Sequence, residues 1–277
     1  MVVVRIMGGL GNQLFQYAAG RRLAAHHNVP LRLDLSWYNN HPADETPRHY
    51  ELGGLKTEQR VFDRSLPAKV IRRLRNERFT HYVEDHFQFN ASVLQLPRHS
   101  WLIGHFLSPA YFEDTRPQLL AEIQPAHPLS PASAQLLATI QAASESVSLH
   151  IRRGDYLTNP YAIKSHGVLP QTYYQQALRH LALKKPAVYV FSDDIEWCQQ
   201  HLKLDAELHF VDHSASSIED LMLMSACRHN IIANSSFSWW GGWLNQNPAK
   251  TVIAPKRWSP DATVDVAALL PKQWIIL

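Results

Sequence analysis

The opening thirty-five residues constrain the fold more than any other stretch. Val2-Val3-Val4-Arg5-Ile6 is a short apolar run, and Gly8-Gly9-Leu10-Gly11-Asn12-Gln13 turns the chain. A helical pattern then runs from about Leu14 to His26, and Pro30-Leu31-Arg32-Leu33-Asp34-Leu35 is apolar again. Strand, glycine loop, helix and strand make a βαβ unit, whose two strands lie parallel in one sheet. An α/β protein with parallel sheets is therefore expected. Gly9 and Gly11 allow positive φ and a close backbone approach at a helix N-terminus, where the dipole favours an anion. A tight βα turn demands the same glycines, so both uses stay open.

A rival reading starts from the same loop. Gly9-x-Gly11, with Asp34 beyond the second strand, resembles a dinucleotide fingerprint in which an acidic residue holds a ribose. The match is partial, because Leu14 stands where close helix packing asks for glycine or alanine.

The second informative stretch is Ser146-Val147-Ser148-Leu149-His150-Ile151-Arg152-Arg153-Gly154-Asp155-Tyr156. Val147, Leu149 and Ile151 alternate with Ser148, His150 and Arg152, which predicts a strand with its polar set on one face. Gly154 ends it. An arginine pair at a strand's C-terminal end presents planar, bidentate forks suited to phosphate. An ordinary solvated turn with a salt bridge fits the same residues.

Length and composition bound the remainder. A chain of 277 residues suggests about two domains of roughly 130 to 140 residues. Its formal charge of +3, with 16 histidines counted neutral, is too small to imply a nucleic-acid partner. The only cysteines, Cys198 and Cys227, lack metal or disulfide spacing and fit a reducing compartment. Met1 to Ile6 is too short for a signal sequence and no later run reaches a membrane span, so a cytoplasmic location is expected. Gln124-Pro-Ala-His-Pro-Leu-Ser-Pro131 carries three prolines and reads as the linker between residues 1–127 and 128–277.

Further apolar runs end in polar groups. Trp101 to Phe106 is expected as a strand. Ala187 to Phe191 runs into Ser192-Asp193-Asp194, and Asn230 to Ala233 runs into Asn234-Ser235-Ser236-Phe237-Ser238. Open α/β sheets bind ligands beyond such C-terminal strand ends. Hydroxyls and N–H groups at a helix start also suit a phosphate, although serine capping alone explains part of that pattern. Asp193-Asp194 admits either a divalent ion or a helix cap. Lys69 to Arg75 forms a basic amphipathic helix, whose uses include a solvated face and a weak peripheral membrane contact.

Gly8 to Tyr17, His150 to Tyr156 and Asn230 to Trp243, in that order and spacing, resemble the bacterial α-1,2-fucosyltransferases of glycosyltransferase family 11. Phe191 to Asp194 and Leu221 to Cys227 are also similar, whereas residues 37–100 show little likeness. The resemblance implies a GT-B-like architecture of two Rossmann-like domains facing across a cleft, with residues 1–127 on the acceptor side and 128–277 binding the nucleotide sugar. It also implies inverting transfer of L-fucose from GDP-β-L-fucose to the 2-hydroxyl of a terminal galactose in an oligosaccharide, with no cofactor and no metal.

By the same resemblance Arg152 and Arg153 hold the β-phosphate, Ser235, Ser236 and Phe237 meet the diphosphate, and His150 and Asp193 face the nucleoside. Gly9, Gly11, Asp155, Ser192 and Asn234 complete the expected binding set. Protein O-fucosyltransferases share a similar Gly-x-x-Gly-Asn-Gln loop, whose asparagine lies at the reacting centre; here that position is Asn12. Arg152 and Asn12 are therefore the expected catalytic residues. Asp34, Asp155 and His105 are chemically possible proton acceptors. The alternatives are a non-catalytic GDP-sugar or glycan-binding protein, and a GT-B transferase using another sugar nucleotide or a protein acceptor. Acceptor choice is expected to reside in Ser36 to Arg98 and Leu157 to Gly167.

Overall fold

Val2, Val3 and Val4 are fully buried, which follows from their place near the middle of a parallel sheet rather than at its edge. The computed structural model describes residues 1–39, 47–74, 77–159, 163, 167–212, 214–259 and 265–277, and leaves the side chain of Asp155 undescribed. Arg75 and most of the 157–167 loop assigned to acceptor choice lie outside this set. The described residues up to Ala126 form one compact unit and those from His127 to Leu277 a second.

In the first unit β1 (Val2–Arg5), α1 (Leu10–His26) and β2 (Leu31–Asp34) build the βαβ opening. They are followed by α2 (Leu66–Leu74), β3 (Thr80–Val83), β4 (Ser100–Ile103) and α3 (Arg116–Glu122). The sheet order is β2-β1-β4-β3, parallel throughout, with Val2 opposite Leu31 on one side and Ser100 on the other. α1 buries Leu10, Leu14, Phe15, Tyr17, Ala18 and Leu23. Its close approach to the sheet occurs at Gly20, where an added Cβ would lie 3.0 Å from Val4 and 3.1 Å from Leu31. Gly20 thus does the packing that the fingerprint argument sought at Leu14. β3 carries no apolar alternation, because it is an edge strand whose side chains are mostly exposed.

The second unit contains α4 (Pro131–Ala142), β5 (Ser146–Ile151), α5 (Gly154–Thr158), α6 (Gln171–His180), β6 (Ala187–Ser192), α7 (Ile195–His201) and β7 (Glu207–Phe210). It continues through α8 (Ser217–Ala226), β8 (His229–Ile231), α9 (Ser236–Leu244), β9 (Val252–Ala254), α10 (Val266–Leu269) and β10 (Ile275–Ile276). The order β10-β9-β8-β5-β6-β7 is parallel throughout. Strand order reverses between β5 and β8, which makes that crevice the topological switch point of a doubly wound sheet.

β5 is the strand its alternation predicts, with the polar set on one side, and all six of its residues are buried. Val147, Leu149 and Ile151 pack with Tyr173, Tyr174 and Val190. The opposite side is polar yet sealed. Asn230 donates to Ser148 Oγ at 2.7 Å, Asn245 donates to Asn230 Oδ1 at 2.7 Å, and the Arg228 amide donates to Ser146 Oγ at 3.0 Å. Satisfied in this way, Ser146 and Ser148 cost little to bury.

Candidate functional site

The switch point places the ends of β5 and β8 side by side, and Arg152 and Arg153 leave β5 there. Register sets their partners: Ile151 pairs with Ser192, so the residues after β5 meet Asp193 and Asp194 after β6. Arg152 Nε lies 3.3 Å from Asp193 Oδ2. The Arg153 amide donates to Asp193 Oδ1 at 2.9 Å, and Arg153 Nε donates to Asp194 Oδ2 at 3.3 Å. The Arg153 guanidinium also lies 3.8 Å from the Trp197 ring centroid. The two arginines therefore differ. Arg152 is held beside the switch point by Asp193 and lies 5.6 Å from the Tyr156 ring, whereas Arg153 turns onto α7.

The aspartates are equally divided. Asp194 caps α7 by accepting from the Trp197 amide, and its own amide donates to Ser192 Oγ at 3.0 Å. Asp193 braces the arginine loop. With each carboxylate committed to a different arginine, the pair does not converge on one point as a metal site requires. Among the described residues no group of three or more His, Cys, Asp or Glu could hold a metal ion. A Cβ at Gly154 would lie 2.8 Å from Asp193 Oδ2, so any larger residue there displaces that carboxylate.

Across the crevice, Ser235 caps α9 and accepts from the Phe237 amide at 3.3 Å, while Ser236 and Phe237 are half-buried in its first turn. Asn234 is buried, and its amide nitrogen donates to the Gly167 and Trp258 carbonyls at 3.1 and 3.3 Å. It orders the loops around α9. Tyr156 donates to the Asn234 carbonyl at 3.1 Å and so ties the loop after β5 to the loop after β8. Sequence reasoning gave Tyr156 no role, although it stood in the quoted motif. His150 is 4% exposed, with its ring 5.7 Å from that of Phe237. Burial, reinforced by Arg152 and opposed by Asp193, brings its imidazole down to about 3, so the ring is neutral. Its Nδ1 has no hydrogen-bond partner among the described residues.

The glycine loop of the first unit has its own construction. Gly8 alone there takes a positive φ, of 74°, and a Cβ on it would lie 3.0 Å from Asn12 Nδ2. Gly9 is the extended N-cap of α1, and Gly11 lies buried within the helix. Asn12 remains half-buried in the first turn. Gln13 and Gln16 hold the loop: Gln13 donates to the Gly8 and His49 carbonyls, and Gln16 pairs with both the amide and the carbonyl of Met7. Arg48 lies beside Gly9, its Cδ 3.6 Å from where a Cβ would stand, an approach no local pattern announces.

Asp34 is a correction to the sequence reading. It is fully buried, with Arg5 at 3.2 Å and Arg64 at 3.3 Å. Burial pushes its carboxyl up, but the Ser36 hydroxyl and amide together with Arg5 and Arg64 outweigh this and hold it below the usual range. It is neither an open ribose ligand nor a proton acceptor. His105 follows β4 with its ring 5.4 Å from that of Phe87.

These strand ends agree with a family assignment. The model for Glycosyl transferase family 11 matches residues 68–277. The chain belongs to that family. An alpha-1,2-colitosyltransferase of Escherichia coli is 30% identical across 99% of this chain and 98% of its own. The O-antigen biosynthesis glycosyltransferase WbnK of Escherichia coli is 33% identical across 91% of this chain and 93% of its own. Among solved structures, an Arabidopsis thaliana FUT1 mutant in complex with GDP matches with a TM-score of 0.53 at 14% identity, covering 98% of this chain and 74% of that one. That likeness bears on architecture alone, and the fold is GT-B. The match within the glycosyltransferase family takes in the whole Arg152 to Phe237 constellation; the Gly8 to Asn12 loop is reached by the full-length relative.

Proposed function

We propose that this family 11 glycosyltransferase is a galactoside α-1,2-fucosyltransferase. It moves L-fucose from GDP-β-L-fucose to the 2-hydroxyl of a terminal galactose, with inversion and without a metal. The observation that carries the reading is Arg152, braced by Asp193 at the switch point opposite the start of α9. As the bond from fucose C1 to the phosphate oxygen breaks, negative charge grows on GDP and positive charge on the sugar ring. Arg152 stabilises the leaving phosphate. Removing one donor aimed at a developing oxyanion costs about 10²–10³ in rate.

Ser235, Ser236 and Phe237 supply hydroxyl and N–H donors to the diphosphate, and His150 faces the nucleoside. Asp193, Asp194 and Asn234 act by placing these groups. Asn12, in the glycine loop of the first unit, is the second proposed catalytic residue. With Asp34 locked in ion pairs, the acceptor of the galactose hydroxyl proton is Asp155, His105 or, in a loose transition state, a phosphate oxygen of the departing diphosphate.

A second donor reading rests on the full-length relative whose name specifies colitose. Colitose lacks the 3-hydroxyl of fucose, and the two readings separate by magnitude. A site hydrogen-bonded to that hydroxyl rejects the deoxy sugar by about 10⁴–10⁵, whereas an apolar pocket discriminates only about 10²-fold. Incubating the purified chain with GDP-fucose or GDP-colitose and galactose-terminated oligosaccharides, read by mass, tests both. Fucosyl transfer is expected. GDP binding without turnover on any acceptor would make the protein a binder instead, and faster colitosyl transfer would change the donor.

A further inference from the structure

α2 is amphipathic, yet its apolar side is left exposed. At about 100° per residue Leu66, Val70, Ile71 and Leu74 share one side, and Lys69, Arg72 and Arg73 the other. An ordinary surface helix turns its apolar side to the core. Here no residue of the helix is buried: Arg72 turns to the protein, its guanidinium 4.5 Å from the Phe62 ring centroid and donating to the Asp63 carbonyl at 2.7 Å, while Lys69 and Arg73 stay exposed. The aliphatic side faces outward, with Leu66 75%, Val70 57%, Ile71 49% and Leu74 81% exposed.

Beside the helix, a cavity of about 580 Å³ is lined by Arg64, Lys69, Arg72, Arg73 and Arg78, with Glu77 its one carboxylate. Its aromatic wall includes Trp101, whose indole N–H is buried and has no acceptor among the described residues. Lys69, Arg72, Arg73 and Arg78 against one carboxylate, with Arg64 already paired to Asp34, fit an anionic headgroup. A nucleic acid or an acidic protein would answer the cations, yet neither gives four adjacent aliphatic side chains an apolar phase.

We infer that α2 and its basic cavity form a peripheral docking surface for a bilayer rich in anionic phospholipid. The aliphatic ridge enters the acyl boundary and the cavity takes headgroup phosphate, which combines the two weak signals that reversible membrane binding needs. No described helix is long and apolar enough to cross a membrane, so this contact is interfacial.

Co-sedimentation of the full chain with vesicles tests it, comparing phosphatidylglycerol-rich vesicles with pure phosphatidylcholine. Binding to the anionic vesicles is expected to be stronger by at least about tenfold and to fall with added salt. The double variants V70D/L74D and K69E/R73E, exposed positions whose circular dichroism should match wild type, are expected to lose the binding while retaining transfer to a soluble acceptor. Equal binding to both vesicle types, or variants that bind as wild type does, would overturn the inference. Self-association without vesicles that V70D/L74D abolishes would assign the face to a second copy of the chain and overturn it too.

Discussion

Asp193 holds two consecutive arginines by different means, an ion pair to the Arg152 side chain and a hydrogen bond from the Arg153 amide. Asp193→Asn keeps an oxygen for that amide and removes the charge facing Arg152. A charge-assisted hydrogen bond contributes about 1.5–3 kcal/mol, so transfer is expected to slow by roughly tenfold or more with little change in melting temperature. Steady-state kinetics beside a thermal melt checks this; an unchanged rate would show that Arg152 needs no brace. Gly154→Ala intrudes on the same carboxylate, 2.8 Å from the new Cβ, and should raise the donor KM. A donor titration with unchanged KM would count against it. The arginine pair was legible in the sequence, but its partners were not. Which aspartate meets which arginine depends on the β5–β6 register across some forty residues, and local patterning does not encode that register. Asp34 escaped for the same reason, since Arg64 reaches it from thirty residues away.

At the scale of elements, Glu219 joins the start of α4 to the start of α8. Its carboxylate accepts from the Ser130 amide at 2.6 Å, the Ser133 hydroxyl at 2.7 Å and the Ala215 amide at 2.9 Å. Burial opposes ionisation, but these donors bring the carboxyl down to about 2. Glu219→Ala strands buried donors and should cost about 1–3 kcal/mol in urea unfolding; a loss below a few tenths would contradict the tether. The parallel strands were readable because buried apolar runs punctuated by glycine and polar clusters leave few other folds. β3 was not, because an exposed edge strand has no apolar face to show. β5 was readable as a strand, but the burial of its polar side was not. Its polar residues are interior, Ser148 met by Asn230 and Ser146 by the Arg228 amide.

For the molecule as a whole, the titrations set an acid limit. His150 stands at about 3 folded against 6.5 ordinarily, and Glu219 at about 2 against 4.5. In both intervals the unfolded chain binds more protons, so stability falls as pH drops below about 6.5 and again below about 4.5. Asp220, raised to about 6 by burial and by Glu219 against the Ser214 hydrogen bond, works the other way between 3.8 and 6 and offsets part of the loss. Chemical unfolding across pH 7 to 4 should show this net decline, which His150→Gln would flatten above pH 5. A decline unchanged in that variant would remove His150 from the account. GDP bound at 100 times its Kd should add about 2.7 kcal/mol and raise the melting temperature.

The central claim is that Arg152 stabilises the leaving diphosphate of a GDP-sugar at the β5–β8 switch point, and fucosyl transfer by Arg152→Ala tests it most directly. A fall of about 10²–10³ in kcat with the fold and melting temperature retained is the predicted result; turnover near that of wild type would contradict it.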